Sequence, residues 1–199
     1  MAGVGQAVEE LRRSAADAFL FTTGVVSIRR ADRLVIKPSG VSVEGLSTDS
    51  VVLTDLSGEV LEGVLAPSDA GDAHACVYRE MPGVGSVVNT RSTLSLAWAA
   101  RGEQIPHVPT IADGFDGPIP VGPYVSDRGR GIVDTLAATS SPAVLMPGQG
   151  LFTTGPNPAE TFRAAVVLEQ LIRFVHIGRH LGTAEPVDPH ELDRLLRST

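Results

Sequence analysis

The sequence predicts a single α/β domain, a sandwich of helices and short strands rather than a simple doubly wound sheet. Three observations predict it. The 199 residues are 43% apolar and 20% charged, a balance that one buried core accommodates. Short apolar or alternating runs of strand length recur, bounded by Gly, Pro, Ser or Asp. Between them lie segments with helical apolar spacing and recognisable start signals.

In chain order, residues 6–21 place Leu11, Ala15 and Phe19 on one face and predict an amphipathic helix, broken at Thr22-Thr23-Gly24. Residues 25–29 and 34–36 read as strands, and Pro38-Ser39-Gly40 as a turn. Residues 51–54 and 59–64 flank Leu56-Ser57-Gly58 as a hairpin. Pro67-Ser68-Asp69 opens a helix to near Glu80, residues 86–90 form a strand, and Ser92 caps a helix to Ala100. Residues 102–128, rich in Gly, Pro and Asp, read mostly as loop with a short strand near 119–121. Residues 131–138 predict a helix, and 143–146 and 151–154 two strands around Pro147-Gly148-Gln149-Gly150. Asn157-Pro158-Ala159-Glu160 puts Asn at the N-cap, Pro at N1 and Glu at N3, starting a long helix to about His180. Asp188-Pro189-His190-Glu191 repeats that signal for a short C-terminal helix. Residues 1–182 form the predicted domain, and 183–199 a C-terminal extension.

A net charge of −7 argues against nucleic acid or an anionic membrane as the main partner. Apolar runs stay short of the roughly 18 residues that span a bilayer. The N-terminal helix contains acids and does not read as a signal peptide, so a cytoplasmic location is expected. One Cys rules out an internal disulfide framework, and Cys76 sits in an apolar helical pattern as a buried thiol. The five His leave a metal enzyme open, since three would hold a zinc ion.

No P-loop, dinucleotide fingerprint, His-Glu-x-x-His or Gly-x-Ser-x-Gly pattern occurs. His176 and His180 are four apart on the long helix, a spacing that suits a metal as well as a helix C-terminal dipole. His107 lies in a Pro-rich loop and His190 in a polar terminal helix.

Four segments, taken together, resemble the class II aldolase/adducin family. They are Thr22-Thr23-Gly24-Val25-Val26-Ser27-Ile28-Arg29; Ile36-Lys37-Pro38-Ser39-Gly40-Val41; Pro67-Ser68-Asp69-Ala70-Gly71-Asp72-Ala73-His74 followed by Pro82 to Ser92; and Ala143 to Gly155. Gly117-Pro118-Ile119-Pro120-Val121-Gly122-Pro123-Tyr124 is similar to a fifth family loop. The order and spacing agree over about residues 5–181. The resemblance implies a three-layer α/β/α fold with a central, mostly antiparallel sheet. It also implies a fourfold homotetramer, with active sites near subunit interfaces.

Family members hold a divalent cation, usually zinc, with three His, and move a proton with a Glu. The matching positions here are Asn89, Arg91, Gln149 and Ala70. Neutral amides are weak zinc ligands, and Arg91 places a fixed cation where the metal would sit. The resemblance therefore implies no metal and no cofactor. Asn89, Gln149 and Asp69 offering oxygens to magnesium is a minor reading. The family's phosphate-holding positions fall on Val25, Ser39, Gly40, Ser68 and Asp69. Val25 lacks a donor, and Asp69 sets a negative charge beside any phosphate.

The expected pocket thus contains Lys37, Ser39, Gly40, Ser68, Asn89 and Gln149 as binding groups, with Arg91, Asp69, Asp72 and His74 as catalytic candidates. Arg91 reads either as an anion anchor and electrophile, or as a salt-bridge partner of Asp69 or Asp72 filling the vacated site. His74 reads as a hydrogen-bonded structural residue or a general base. Lys37 reads as structural or anion-binding rather than as a Schiff-base amine. Tyr124 reads as a loop acid or a packing residue. The expected function is metal-independent lyase or isomerase chemistry on a small anionic or polyhydroxylated metabolite. The alternatives are a non-catalytic member that binds a ligand or joins an active paralogous subunit and, more remotely, a zinc-dependent sugar-phosphate aldolase.

Overall fold

The computed structural model describes residues 2–16, 24–42, 45–108, 115, 117–139 and 141–182. Seven strands form one sheet: β1 (Val25–Arg30), β2 (Arg33–Ile36), β3 (Val52–Asp55), β4 (Val60–Glu62), β5 (Ser86–Thr90), β6 (Ala143–Met146) and β7 (Gly150–Gly155). Their order is β4-β3-β2-β1-β5-β7-β6, and every neighbouring pair is antiparallel. The helices are α1 (Ala2–Ala16), α2 (Gly71–Glu80), α3 (Thr93–Arg101), α4 (Arg128–Thr139) and α5 (Pro158–Leu181). The α/β class and the antiparallel sheet are as the sequence predicts.

Strand alternation builds the three layers, because successive side chains point to opposite faces. Val25, Leu34, Ile36, Val52, Val87, Val144 and Phe152 face α2 and α4 in one core cluster. Their neighbours Val26, Val35, Leu53 and Val88 face the other way, against α1 and α5. A third cluster packs α3 and the C-terminal half of α5 on Leu145 and Leu151.

Local chemistry sets the helix ends. The Asn157 side chain accepts from the Glu160 amide at 3.0 Å, and its own amide donates to the Glu160 carboxylate at 2.7 Å. That reciprocal cap, with Pro158 at N1, starts α5. Ser92 caps α3 by accepting from Ser95 N at 3.0 Å. In the β3–β4 hairpin, Asp55 Oδ1 accepts from the amides of Ser57 and Glu59 and from the Ser57 hydroxyl.

Three expectations are corrected. Helix α4 begins at Arg128, not at 131, because Asp127 Oδ1 accepts from Arg130 N at 2.9 Å and opens the helix a turn earlier. The strand near 119–121 is two isolated bridges, Ile119 with Ile105 and Val121 with Leu145. Helix α2 begins at Gly71, since Pro67 to Ala70 form the turn that leads into it. The second half of the first predicted helix beyond residue 16, and the C-terminal helix, lie outside the described residues. Among the described residues no helix is long and apolar enough to cross a membrane.

Candidate functional site

The end of β5 and the β6–β7 turn meet at the candidate site. Asn89 and Phe152 face each other across β5 and β7, both on the α2 side of the sheet. Asn89 is buried, and its amide nitrogen donates to Gln149 O at 3.0 Å and Leu151 O at 3.2 Å. Its Oδ1 is buried with no partner. The turn itself closes through Gln149 N to Met146 O, with Gly148 and Gly150 both at positive φ. Gly150 is irreplaceable on two counts. Its φ is 86°, and a Cβ there would stand 2.2 Å from Thr90 O and 3.3 Å from the Cα of Arg91. That close approach presses Arg91 against the turn that carries Gln149.

Arg91 is half-buried. No carboxylate lies within 4 Å of its guanidinium among the described residues, so the expected salt bridge to Asp69 or Asp72 does not form. A second guanidinium reaches the same turn: Arg128 Nη1 donates to Gln149 Oε1 at 3.3 Å. Sequence reading missed Arg128, because residues 102–128 read mostly as loop and the helix was placed from Gly131. Gly129 is in fact a helix-packing residue: a Cβ there would stand 2.5 Å from the Cβ of Cys76 on α2. The Asp127 cap was the available signal.

Arg128 separates two clefts. One, of about 290 Å³, is lined by Ser57, Asp69, Asp72, Arg79, Asp127 and Arg128 among others. The other, of about 580 Å³, is lined by residues 123–126, Arg128 and residues 146–149. Asp69 and Asp72 are exposed, and with Ser68 they also border a smaller cleft of about 180 Å³ above Ile36 and Thr54. Ser68 is buried, accepting from Ala70 N and donating to Asp69 at 3.3 Å, which shapes the turn into α2. Tyr124 is exposed in the mouth of the larger cleft.

The other expected pocket residues stand apart. Lys37 is buried, and its amine donates to Val41 O at 2.6 Å and Pro38 O at 3.2 Å. It ties together the turn that carries Ser39 and Gly40, both exposed, and burial pushes its pKa down. None of these three lines the clefts at Arg128. His74 has no exposed surface. Its Nδ1 lies 2.7 Å from Ser27 Oγ, which lies 2.9 Å from the Tyr78 hydroxyl. Tyr78 in turn donates to Ser27 O at 2.9 Å, and Arg29 sits over its ring. Burial lowers the His74 pKa to about 3, so the ring is neutral near pH 7. This placement favours the structural role for His74 over general base. The spaced pair His176 and His180 is tied within α5, where the His180 ring bonds His176 O at 2.7 Å.

The sheet's opposite face holds the segment from behind. Glu169 on α5 is buried; it accepts from the Thr90 hydroxyl and, at 2.6 Å, from the Ser92 hydroxyl. It is the one buried carboxylate among the described residues. Thr90 and Ser92 flank Arg91, so this contact fixes the backbone from which Arg91 projects. Sequence reading missed Glu169; an acid inside the apolar run 164–172 was the signal.

The donor set at the family's metal positions does not fit zinc. Asn89 turns its amide nitrogen to two carbonyls, Arg91 is a permanent cation, and the Gln149 side-chain oxygen accepts from Arg128. Among the described residues no group of three His, Cys, Asp or Glu is placed to hold a metal.

Comparison with known proteins agrees with this architecture. The family model for the class II aldolase and adducin N-terminal domain matches residues 8–176. The L-ribulose-5-phosphate 4-epimerase UlaF of Salmonella paratyphi B is 34% identical, over 87% of this chain and 84% of that protein. An L-fuculose 1-phosphate aldolase structure superposes with a TM-score of 0.80 at 18% identity, covering 100% of this chain and 96% of its own. The L-fuculose-1-phosphate aldolase of Thermus thermophilus does so with 0.72 at 19% identity, covering 94% and 100%. The last two likenesses concern the fold alone; together with the family match and the epimerase identity, they place this chain in the class II aldolase and adducin N-terminal domain family.

Proposed function

We propose that this chain binds a small anionic or polyhydroxylated metabolite and performs lyase or isomerase-type proton transfer on it without a metal ion. The observation that carries the reading is Arg91 at a matched metal-ligand position, its backbone against the Gln149 turn and its guanidinium without a carboxylate within 4 Å among the described residues. A fixed cation there does part of what a Lewis acid does: it stabilises negative charge developing on a substrate oxygen. Asp69 and Asp72, exposed on the far side of Arg128, supply carboxylates. In the isomerase form of the step, a carboxylate takes the proton from a carbon beside a carbonyl. The C–H electron pair becomes an enediolate whose oxygen faces Arg91, and reprotonation of that carbon completes the turnover. The 34% identity with an L-ribulose-5-phosphate 4-epimerase supports a small sugar-derived anion as the substrate class. The same reading has the chain assemble as a homo-oligomer, supported by exposed Val64 and Tyr124.

Two measurements test it. Candidate sugar phosphates and hydroxy acids are screened by thermal shift, and each binder is incubated with protein in D2O and followed by NMR. Deuterium entering the ligand at one carbon, abolished in Arg91→Ala, is the expected result. Binding with no exchange in any ligand would leave a non-catalytic binder and overturn the enzymatic reading. Stoichiometric zinc that is lost in Asn89→Ala and Gln149→Ala would overturn the metal-free one.

A further inference from the structure

We infer that Arg128 is a second anion-recognising residue of this site, and that Gln149 is its placeholder when no ligand is bound. The inference rests on the proposed binding pocket and names the ligand group that the pocket selects. Three observations carry it. First, Arg128 has no carboxylate within 4 Å among the described residues, although Asp69, Asp72 and Asp127 border the cleft on one side of it. Second, its only described side-chain hydrogen bond is to the neutral Gln149 oxygen, at 3.3 Å. That is long for a bond from a guanidinium, which reaches carboxylates and phosphates at roughly 2.7–2.9 Å. Third, in the larger cleft of about 580 Å³ Arg128 is the single charged lining residue.

These facts partition the two clefts by charge. The smaller one sets three carboxylates against Arg79 and Arg128, so its cations are already balanced by acids. The larger one offers a half-buried guanidinium with the Gln149 amide and the Ser126 hydroxyl beside it. Its volume lies in the range of small-molecule sites. An anion entering there replaces a neutral acceptor with a charged one, so the exchange favours the anion. The Arg91 backbone lies against Gly150 of the same turn, and neither Arg91 nor Arg128 has a carboxylate within 4 Å among the described residues. The ligand group selected is a compact anion, a carboxylate or a phosphate, held with its oxygens toward Arg128.

Isothermal titration with glycolate and with inorganic phosphate tests this at two salt concentrations. Wild-type protein is expected to bind at least one of them, more weakly at higher salt. Arg128→Gln is expected to weaken that binding at least tenfold. Arg128→Lys separates the two sources: a point charge retains much of a phosphate's affinity but loses the fork that fits a carboxylate. Gln149→Glu places a carboxylate against Arg128 and is expected to block either anion while leaving the fold intact. Wild-type affinity within twofold in both Arg128→Gln and Gln149→Glu would overturn the inference, as would no binding of either anion to wild-type protein. Loss of deuterium exchange in Arg91→Ala, with anion affinity unchanged in the Arg128 variants, would overturn this inference alone and leave the proposed function standing.

Discussion

Asn89 and Thr90 are consecutive residues of one strand, and they face opposite sides of the sheet into contrasting surroundings. On the α5 side, Thr90 and Ser92 both donate to Glu169, and Ser92 also caps α3. On the α2 side, Asn89 Oδ1 and His74 Nε2 are both buried without a partner. Unmade hydrogen bonds are costly in a core, so leaving these two acceptors open costs stability. The difference assigns roles to the two layers. The α5 side fixes the backbone of residues 90–92, and the α2 side leaves Asn89 Oδ1 and His74 Nε2 unpaired beside it.

The largest effect that would break this contrast is in Glu169→Ala. It removes the acceptor of two hydroxyls, at roughly 1.5–3 kcal/mol for each bond to a charged group. Denaturant unfolding should show a loss of about 3 kcal/mol or more; a loss under about 0.5 kcal/mol would mean that Glu169 anchors nothing.

The next effect is a pH dependence. His74 has a folded pKa of about 3 against an ordinary 6.5, so between those values the unfolded chain binds one proton more. Stability therefore rises with pH through that window, by up to about 1.4 kcal/mol per pH unit, and the gain is complete above about pH 6.5. On acidification it is lost from pH 6.5 downward. His74→Gln should flatten this part of the curve between pH 4.5 and 6.5, whatever its own stability. An unchanged slope would show that the buried ring is not the group responsible.

The smallest effect is in Asn89→Ala, which frees the carbonyls of Gln149 and Leu151. A cost of about 1 kcal/mol is expected by the same unfolding measurement. A cost equal to that of Glu169→Ala would erase the asymmetry between the faces.

Much of the fold was legible because its signals are local. The Asn157–Glu160 cap, the Ser92 cap and the alternation of 25–28 and 34–36 each show in a few consecutive residues. The family resemblance supplied the sheet type, but the insertion of β5 between β1 and β7 depends on pairing between distant segments, which no local pattern encodes. The site was legible in part. Asn89, Arg91 and Gln149 do converge at one turn, since two of them flank a glycine that permits only a close backbone approach. Lys37 was drawn toward the pocket by its charge, yet its amine serves the adjacent turn. Arg128 and Glu169 were missed because each acquires its meaning from a partner more than 20 residues away.

The contacts around Ser27 carry one more consequence, in the arithmetic of protons. His74 Nδ1 to Ser27 Oγ, Ser27 Oγ to the Tyr78 hydroxyl, and that hydroxyl to Ser27 O are three contacts. A neutral ring, one serine and one tyrosine bring three hydrogens to them. All three contacts are filled only if Tyr78 donates to the carbonyl, Ser27 to Tyr78, and His74 from Nδ1 to Ser27. That ordering selects the Nδ1-protonated tautomer and leaves Nε2 a bare lone pair inside the core. The imidazole is thus spoken for on one nitrogen and sealed off on the other, so any proton that moves near neutral pH in this protein must travel by a different residue.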